Sequence, residues 1–121
     1  MKKFSFSYRE RLHLQKDFNR IFKKGLKLEN KAVKIFAKKR DGGHLRRLGL
    51  VTSGKLGNAP LRNRTKRRLR EVFRTNKHLL EPGLDLIFVS KPETVKADYS
   101  ALEQAILDLL KNAKLLKTEN R

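Results

Sequence analysis

The chain has 121 residues, 38% of them hydrophobic, enough for one domain with a buried core. It carries 31 Lys and Arg against 12 Asp and Glu, a formal net charge of +19, and no cysteine. That composition excludes a disulfide framework, a thiolate metal site and a cysteine nucleophile, and no apolar run approaches the roughly 20 residues of a membrane span.

In chain order, the first six residues read as an extended, loosely held arm. Lys2 and Lys3 are followed by Phe4, Phe6 and Tyr8, broken by serines and Arg9. No apolar stretch follows, so no signal peptide is expected. The lack of cysteine suits the cytoplasm. A helix is predicted over residues 16–24, with Leu14, Phe18, Ile21 and Phe22 on one face and Gly25 as its stop. A strand follows over 32–39, in which Val33, Ile35 and Ala37 alternate with Ala32, Lys34, Phe36 and Lys38. Asp41-Gly42-Gly43 has the chemistry of a hairpin connection, and the returning strand is predicted over 47–53. Leu48, Leu50 and Thr52 point one way along it; Gly49, Val51 and Ser53 point the other.

Residues 54–58 form a loop into a basic helix over 60–80. Pro60 fits the first turn, where its missing N–H is harmless. Pro82-Gly83 ends this helix, and residues 84–90 form a nearly continuous apolar strand, the pattern of a strand covered on both faces. The last helix is predicted over 99–116. Ser100 and Glu103 form its capping box, and Leu102, Ile106, Leu109, Leu110 and Ala113 form its apolar stripe. Residues 117–121 are expected to fray. The order α-β-β-α-β-α predicts an α+β domain over 1–121, one sheet with helices packed on it. The strand, basic helix and strand in its middle can form a parallel βαβ unit.

The basic helix carries the chemistry. From Gly57 to Arg70 it places Arg62, Asn63, Arg64, Lys66, Arg67, Arg68 and Arg70 within fourteen residues. At about 100° per residue, Leu61, Thr65, Leu69, Val72 and Phe73 share one stripe. Arg62, Lys66, Arg70 and Arg74 run up its flank, and Arg64 and Arg67 continue round the back. Like charges four residues apart weaken a helix, and Glu71 is the one acid between Arg62 and Arg74. The arrangement therefore calls for an anionic ligand. Arginine suits bidentate phosphate contacts, and the free N–H groups of the first helical turn favour an anion as well.

On the first long strand, Lys34, Phe36 and Lys38 share one face. An aromatic plate between cations is what an unpaired RNA strand needs; a helix covering Phe36 is the competing reading. Phe18 and Phe22 read first as core, with exposure at the rim of a cleft as the alternative. No catalytic group is expected from the protein. His13, His44 and His78 match no metal-ligand spacing, and Asp41, Asp85, Asp98 and Asp108 read as turn, cap or helix-face residues. Ser53 lacks the setting of a nucleophile.

Together these residues resemble the protein subunit of bacterial ribonuclease P. The resemblance rests on Lys55-Leu56-Gly57-Asn58-Ala59-Pro60-Leu61-Arg62-Asn63-Arg64-Thr65-Lys66-Arg67. It extends to Arg11-Leu12, Asp17-Phe18, Ile21-Phe22, Gly25, Arg47-Leu48-Gly49-Leu50 and Arg70-Glu71. Gly54 and Pro60 depart from the family pattern, which has a basic and an aliphatic residue there. The resemblance implies a two-layer α+β sandwich, a four-stranded sheet with three helices in the order α-β-β-β-α-β-α. It adds a short strand near Lys27 to Leu28 and a left-handed βαβ crossover. It further implies that an RNA subunit, with Mg2+ at its active site, removes the 5′ leader of precursor tRNA, one protein assisting each RNA. Lys55, Asn58, Arg62, Asn63, Arg64, Lys66, Arg67 and Arg70 would bind the catalytic RNA. Phe18, Phe22, Lys34, Phe36, Val51 and Ser53 would line a cleft for the leader. No membrane and no protein-bound metal are implied. The alternative is a ribosomal or other structured-RNA-binding protein with no part in cleavage. A nuclease acting alone lacks its carboxylate or histidine cluster, and a helix-turn-helix module lacks its partner helix.

Overall fold

A computed structural model describes residues 6–117. Four helices are present among these residues: α1, Gln15–Lys24; α2, Ala59–Asn76; α3, Pro92–Lys96; and α4, Tyr99–Asn112. Four strands complete the order α-β-β-β-α-β-α-α: β1, Leu26–Glu29; β2, Val33–Lys39; β3, Arg47–Val51; and β4, Leu84–Ser90. Short 3-10 turns lie at Tyr8–Glu10, Gly54–Leu56 and Lys77–Leu79. The extra first strand implied by the resemblance is β1. The short helix α3 was not expected; the Thr94 hydroxyl ties it to the Ala32 carbonyl, and Arg68 Nη2 donates to Val95 O at 3.1 Å.

The sheet order is β1-β2-β4-β3. β2 and β3 are therefore not a hairpin: β4 lies between them, antiparallel to β2 and parallel to β3. The turn chemistry of Asp41-Gly42-Gly43 was real, since both glycines have positive φ, at 71° and 77°. Its partner is the turn before β4. Arg40 N donates to Gly83 O at 2.9 Å, and Gly83 N donates to His44 O at 3.2 Å. The β3–α2–β4 segment is the parallel βαβ unit.

Alternation divides the sheet cleanly. Val33, Ile35 and Ala37 of β2, Leu48 of β3, and Leu84, Leu86 and Phe88 of β4 face one large core. Leu69, Val72 and Phe73 of α2 and Leu102, Ile106 and Leu110 of α4 fill it. Register puts three rows on the opposite face: Lys38, Asp85 and Arg47; Phe36, Ile87 and Gly49; Lys34, Val89 and Val51. Among the described residues, α1 and the segment before it cover this face, and Ile21 of α1 is buried against Ile87 and Leu12. Leu14, expected on that apolar face, precedes the helix and is exposed.

Two glycines allow this close approach. A Cβ on Gly49 would lie 2.6 Å from the Phe18 ring, and one on Gly25 would lie 2.5 Å from Ile21 O. Gly25, expected as the stop of α1, is its C-cap with extended backbone at φ −79°, and the position has no room for a larger residue.

Other boundaries shift for local reasons. Asn58 caps α2, its Oδ1 accepting from Leu61 N at 2.9 Å, so the helix starts at Ala59 with Pro60 in its first turn. It ends at Asn76 rather than at 80, because the 3-10 turn leads Leu80 into a bridge with Leu116. Asp98, not Ser100, caps α4, and Glu103 accepts the Asn76 amide at 2.7 Å instead of closing a capping box. The expected loose ends fall outside the described residues except at Phe6 and Lys117. Phe6 packs edge-on against Phe73 at 5.5 Å, and Lys117 N donates to Leu79 O at 2.7 Å.

Asp85 is the largest departure from the sequence reading. It sits within β4, with its side chain wholly buried. Arg47 grips it bidentately through Nε and Nη2 at 2.8 and 2.9 Å, Arg40 Nη1 reaches it at 2.6 Å, and Arg20 of α1 at 3.1 Å. Burial opposes its ionisation, but the bonds from Arg47 and Arg20 and the charges of Arg47 and Arg40 prevail, and its pKa falls below the ordinary 3.8. Such a lowered carboxylate stabilises the fold above its unfolded pKa and loses that contribution as pH falls through the folded value. Stability should hold from neutrality to about pH 4 and then decline. Asp85→Ala should cost about 3–5 kcal/mol in urea unfolding, because Arg40 and Arg47 lose their counter-charge and Arg20 keeps only Asp17. It should also flatten the acid decline. A loss under about 0.5 kcal/mol would mean that the arginines do not depend on it.

Candidate nucleic-acid interface

The polar arc of α2 and its preceding loop form the first surface. Lys55, Asn58, Asn63, Arg64 and Arg67 are exposed, and Arg62, Lys66 and Arg70 are half-buried. Two of them shape the site as well as facing outward. Asn58 is the helix cap, and Arg62 Nε donates to Gly57 O at 3.1 Å, holding the loop against the helix. Arg68, part of the same basic run, turns away to α3. Glu71 is committed to Arg74.

Lys66 and Arg70 border an open groove of about 280 Å³ with Arg11, Leu50 and Phe18. Burial and repulsion from Arg11 and Arg67 lower the Arg70 pKa. That is the electrostatic signature of cations gathered without an acid, and a phosphate placed among them would relieve it. Arg11 was not assigned to this surface from the sequence. It reaches the groove because Leu12 N donates to Leu48 O at 3.0 Å and the segment pairs with β3 at Leu48. No periodicity in residues 7–14 announces that contact.

The second surface lies where α1 leaves the third row of its sheet face uncovered. Phe22 meets Phe36 edge-on at 4.9 Å between ring centroids and Phe18 at 6.3 Å. Phe22 keeps 39% of its surface exposed, and Phe18 and Phe36 are half-buried. Both readings of these aromatics therefore hold at once: they pack on one another and still offer edges to solvent. Lys34 and Val51 stand beside them in the third row, with Val89 between. Val89 was missed because the apolar run of β4 hides which residues face which side. Ser53 lies beyond the end of β3, exposed, with its hydroxyl accepting from Lys55 N at 3.1 Å. It sits at the joint between the two surfaces rather than on the cleft floor. Among the described residues, no group of His, Asp and Glu is placed to hold a metal ion.

The ribonuclease P family model matches residues 6–114. The chain belongs to the ribonuclease P protein family. The protein component from Thermotoga petrophila is 39% identical over 111 residues, covering 88% of this chain and 94% of that protein. The solved RNase P protein of Staphylococcus aureus superposes with a TM-score of 0.79 at 31% identity, over 89% of this chain and 98% of that one. That of Thermotoga maritima gives 0.77 at 35% identity, over 86% and 97%. Membership brings the function: tRNA 5′-leader processing, as the protein partner of a ribonuclease P RNA.

Arg64 and Arg67 are the open cations of the α2 arc. Replacing either with Ala should weaken binding to the RNA subunit. It should also lower the slope of log K against log salt by about 0.7 to 0.9 per lost phosphate contact. The fold should survive, because the buried stripe of α2 is untouched. An unchanged slope in both variants would show that neither side chain meets phosphate.

Proposed function

We propose that the two surfaces serve two RNAs: the α2 arc holds the catalytic RNA, and the α1 cleft holds the 5′ leader of precursor tRNA. The observation that carries this reading is that the cationic arc and the aromatic cleft lie on opposite sides of the sheet and adjoin at the groove that Phe18 shares with Lys66 and Arg70. Arg64 and Arg67 lie on a helix packed against one face of the sheet, whereas Lys34 and Phe36 lie on the other. An unpaired leader offers base faces and phosphates but no groove, which suits a half-exposed Phe36 beside Lys34. The RNA performs the chemistry with Mg2+, one protein serves each RNA, and the holoenzyme works in the cytoplasm. A net charge of +19 lowers the repulsion between two polyanions and with it the demand for metal ions. No helix among the described residues is long and apolar enough to cross a membrane.

The test is reconstitution. Purified protein added to its RNA subunit at low magnesium should stimulate removal of the 5′ leader; failure to do so would sink the reading. The cleft assignment has its own test. Phe36→Ala should weaken affinity for precursor tRNA by about 1–3 kcal/mol and leave mature tRNA nearly unaffected. Lys34→Ala should weaken precursor binding and its salt dependence with little loss of stability. Equal losses for both tRNAs, or unfolding by Phe36→Ala with no effect of Lys34→Ala, would return that face to packing.

A further inference from the structure

The Tyr8–His13 pair has no role in either surface as assigned above, although His13 reaches the edge of the first groove. Tyr8 is 74% exposed, although a tyrosine ring gains by burial. It stacks on the exposed His13 ring at 4.0 Å between centroids with 21° between planes. The stack is fixed rather than incidental. His13 Nε2 donates to Tyr8 O at 2.9 Å, and Arg11 N donates to the same carbonyl at 3.1 Å. Both rings border an open groove of about 310 Å³, whose rim also holds Arg9, Arg11, Arg40 and Arg47. Asp85 engages the last two. Arg9 has no ion-pair or hydrogen-bond partner among the described residues. The Arg11 guanidinium lies 4.6 Å over the Phe6 ring and has no carboxylate partner among the described residues.

This groove continues into the one bordered by Lys66 and Arg70, since Arg11 and His13 line both. A line of cations thus runs from the flank of α2 through Arg11 to Arg9 and ends at a two-ring aromatic plate. Protein partners are recognised by apolar area or by mixed charge; a plate flanked by unopposed arginines matches an unpaired nucleotide, base on ring and phosphate on guanidinium. We propose that Tyr8 and His13 stack an unpaired base of the catalytic RNA, with Arg9 and Arg11 on its adjoining phosphates. That shared groove touches the leader cleft at Phe18, but its cations, Arg11, Lys66 and Arg70, lie on the α2 side, and they select the catalytic RNA over the leader. The inference rests on the assignment of α2 to the catalytic RNA.

The experiment compares wild type, Tyr8→Ala and Tyr8→Phe in three measurements: affinity for the RNA subunit, affinity of each holoenzyme for precursor tRNA, and thermal unfolding. Tyr8→Ala should weaken binding to the RNA subunit by about five-fold or more, the effect of removing one base from an aromatic plate. Tyr8→Phe, which keeps the ring, should bind like wild type, and unfolding should be unchanged because Tyr8 is exposed. An unpaired nucleotide of the RNA should be protected from chemical modification by wild type and not by Tyr8→Ala. Unchanged affinity of Tyr8→Ala would overturn the proposal, as would equal loss in both variants or loss confined to precursor tRNA. If wild type itself fails to bind the RNA subunit, the assignment of α2 fails instead, and the two failures are told apart by that control.

Discussion

A carboxylate removed from water must be met by charge, and Asp85 is met by Arg20 of α1, Arg40 after β2 and Arg47 of β3. These come from separate parts of the chain, so one side chain fixes three of them relative to β4. The geometry of the cleft depends on it. Arg20 anchors the first row of the sheet under α1, Ile21 seals the second, and the third is left open because α1 reaches no further. Gly49 lets Phe18 lie on β3, and Gly25 turns the chain into β1 before α1 can cover more of the sheet. The cleft is thus the part of a sheet face that a short, tethered helix leaves bare.

The acids follow the same economy. Asp17 and Asp85 engage Arg20, Glu10 engages Lys77, Glu29 engages Lys91, and Glu71 engages Arg74. The hydrogen bonds of Glu10, Glu29 and Glu71 lower their pKa values, though burial works hardest against ionisation at Glu10. Within the described residues none of these acids is paired with Arg64, Lys66, Arg67 or Arg70. Carboxylates are placed where they hold architecture and kept from where phosphate must bind. The solvent-open pairs among them, Glu29 with Lys91 and Glu71 with Arg74, add little to stability individually; their placement matters for what they leave unneutralised.

Local signals in the sequence were sufficient for most elements. Alternation in β2 sorted Val33, Ile35 and Ala37 from Lys34 and Phe36, and the helical stripe of α2 separated core from cation. Pairing was legible only where local chemistry decides it. Asp41-Gly42-Gly43 announces a turn but cannot announce that a strand forty residues later will enter between its flanks. Asp85 was unreadable for the same reason: a carboxylate in an apolar run gains its meaning from Arg20, Arg40 and Arg47, all distant in sequence. At the candidate interface, Lys34, Phe36, Arg64 and Arg67 could be inferred from spacing. Arg11 and Val89 needed the tertiary contacts with Leu48 and with the rows of the sheet.

The sheet order has a consequence for how the molecule comes into being. β4 is the last strand made and the one that both β2 and β3 need as neighbour. Until Ser90 has left the ribosome, β3 has no strand to pair with and β2 has only β1. Neither face of the sheet can therefore mature ahead of the other, and sequence-distant pairings of this kind slow folding. The basic helix, by contrast, is synthesised earlier, but its apolar stripe has no sheet to pack on until β4 is made. During synthesis the chain thus exposes its cations before it has a core to mount them on, and an RNA that favours the finished domain draws the population toward it by mass action.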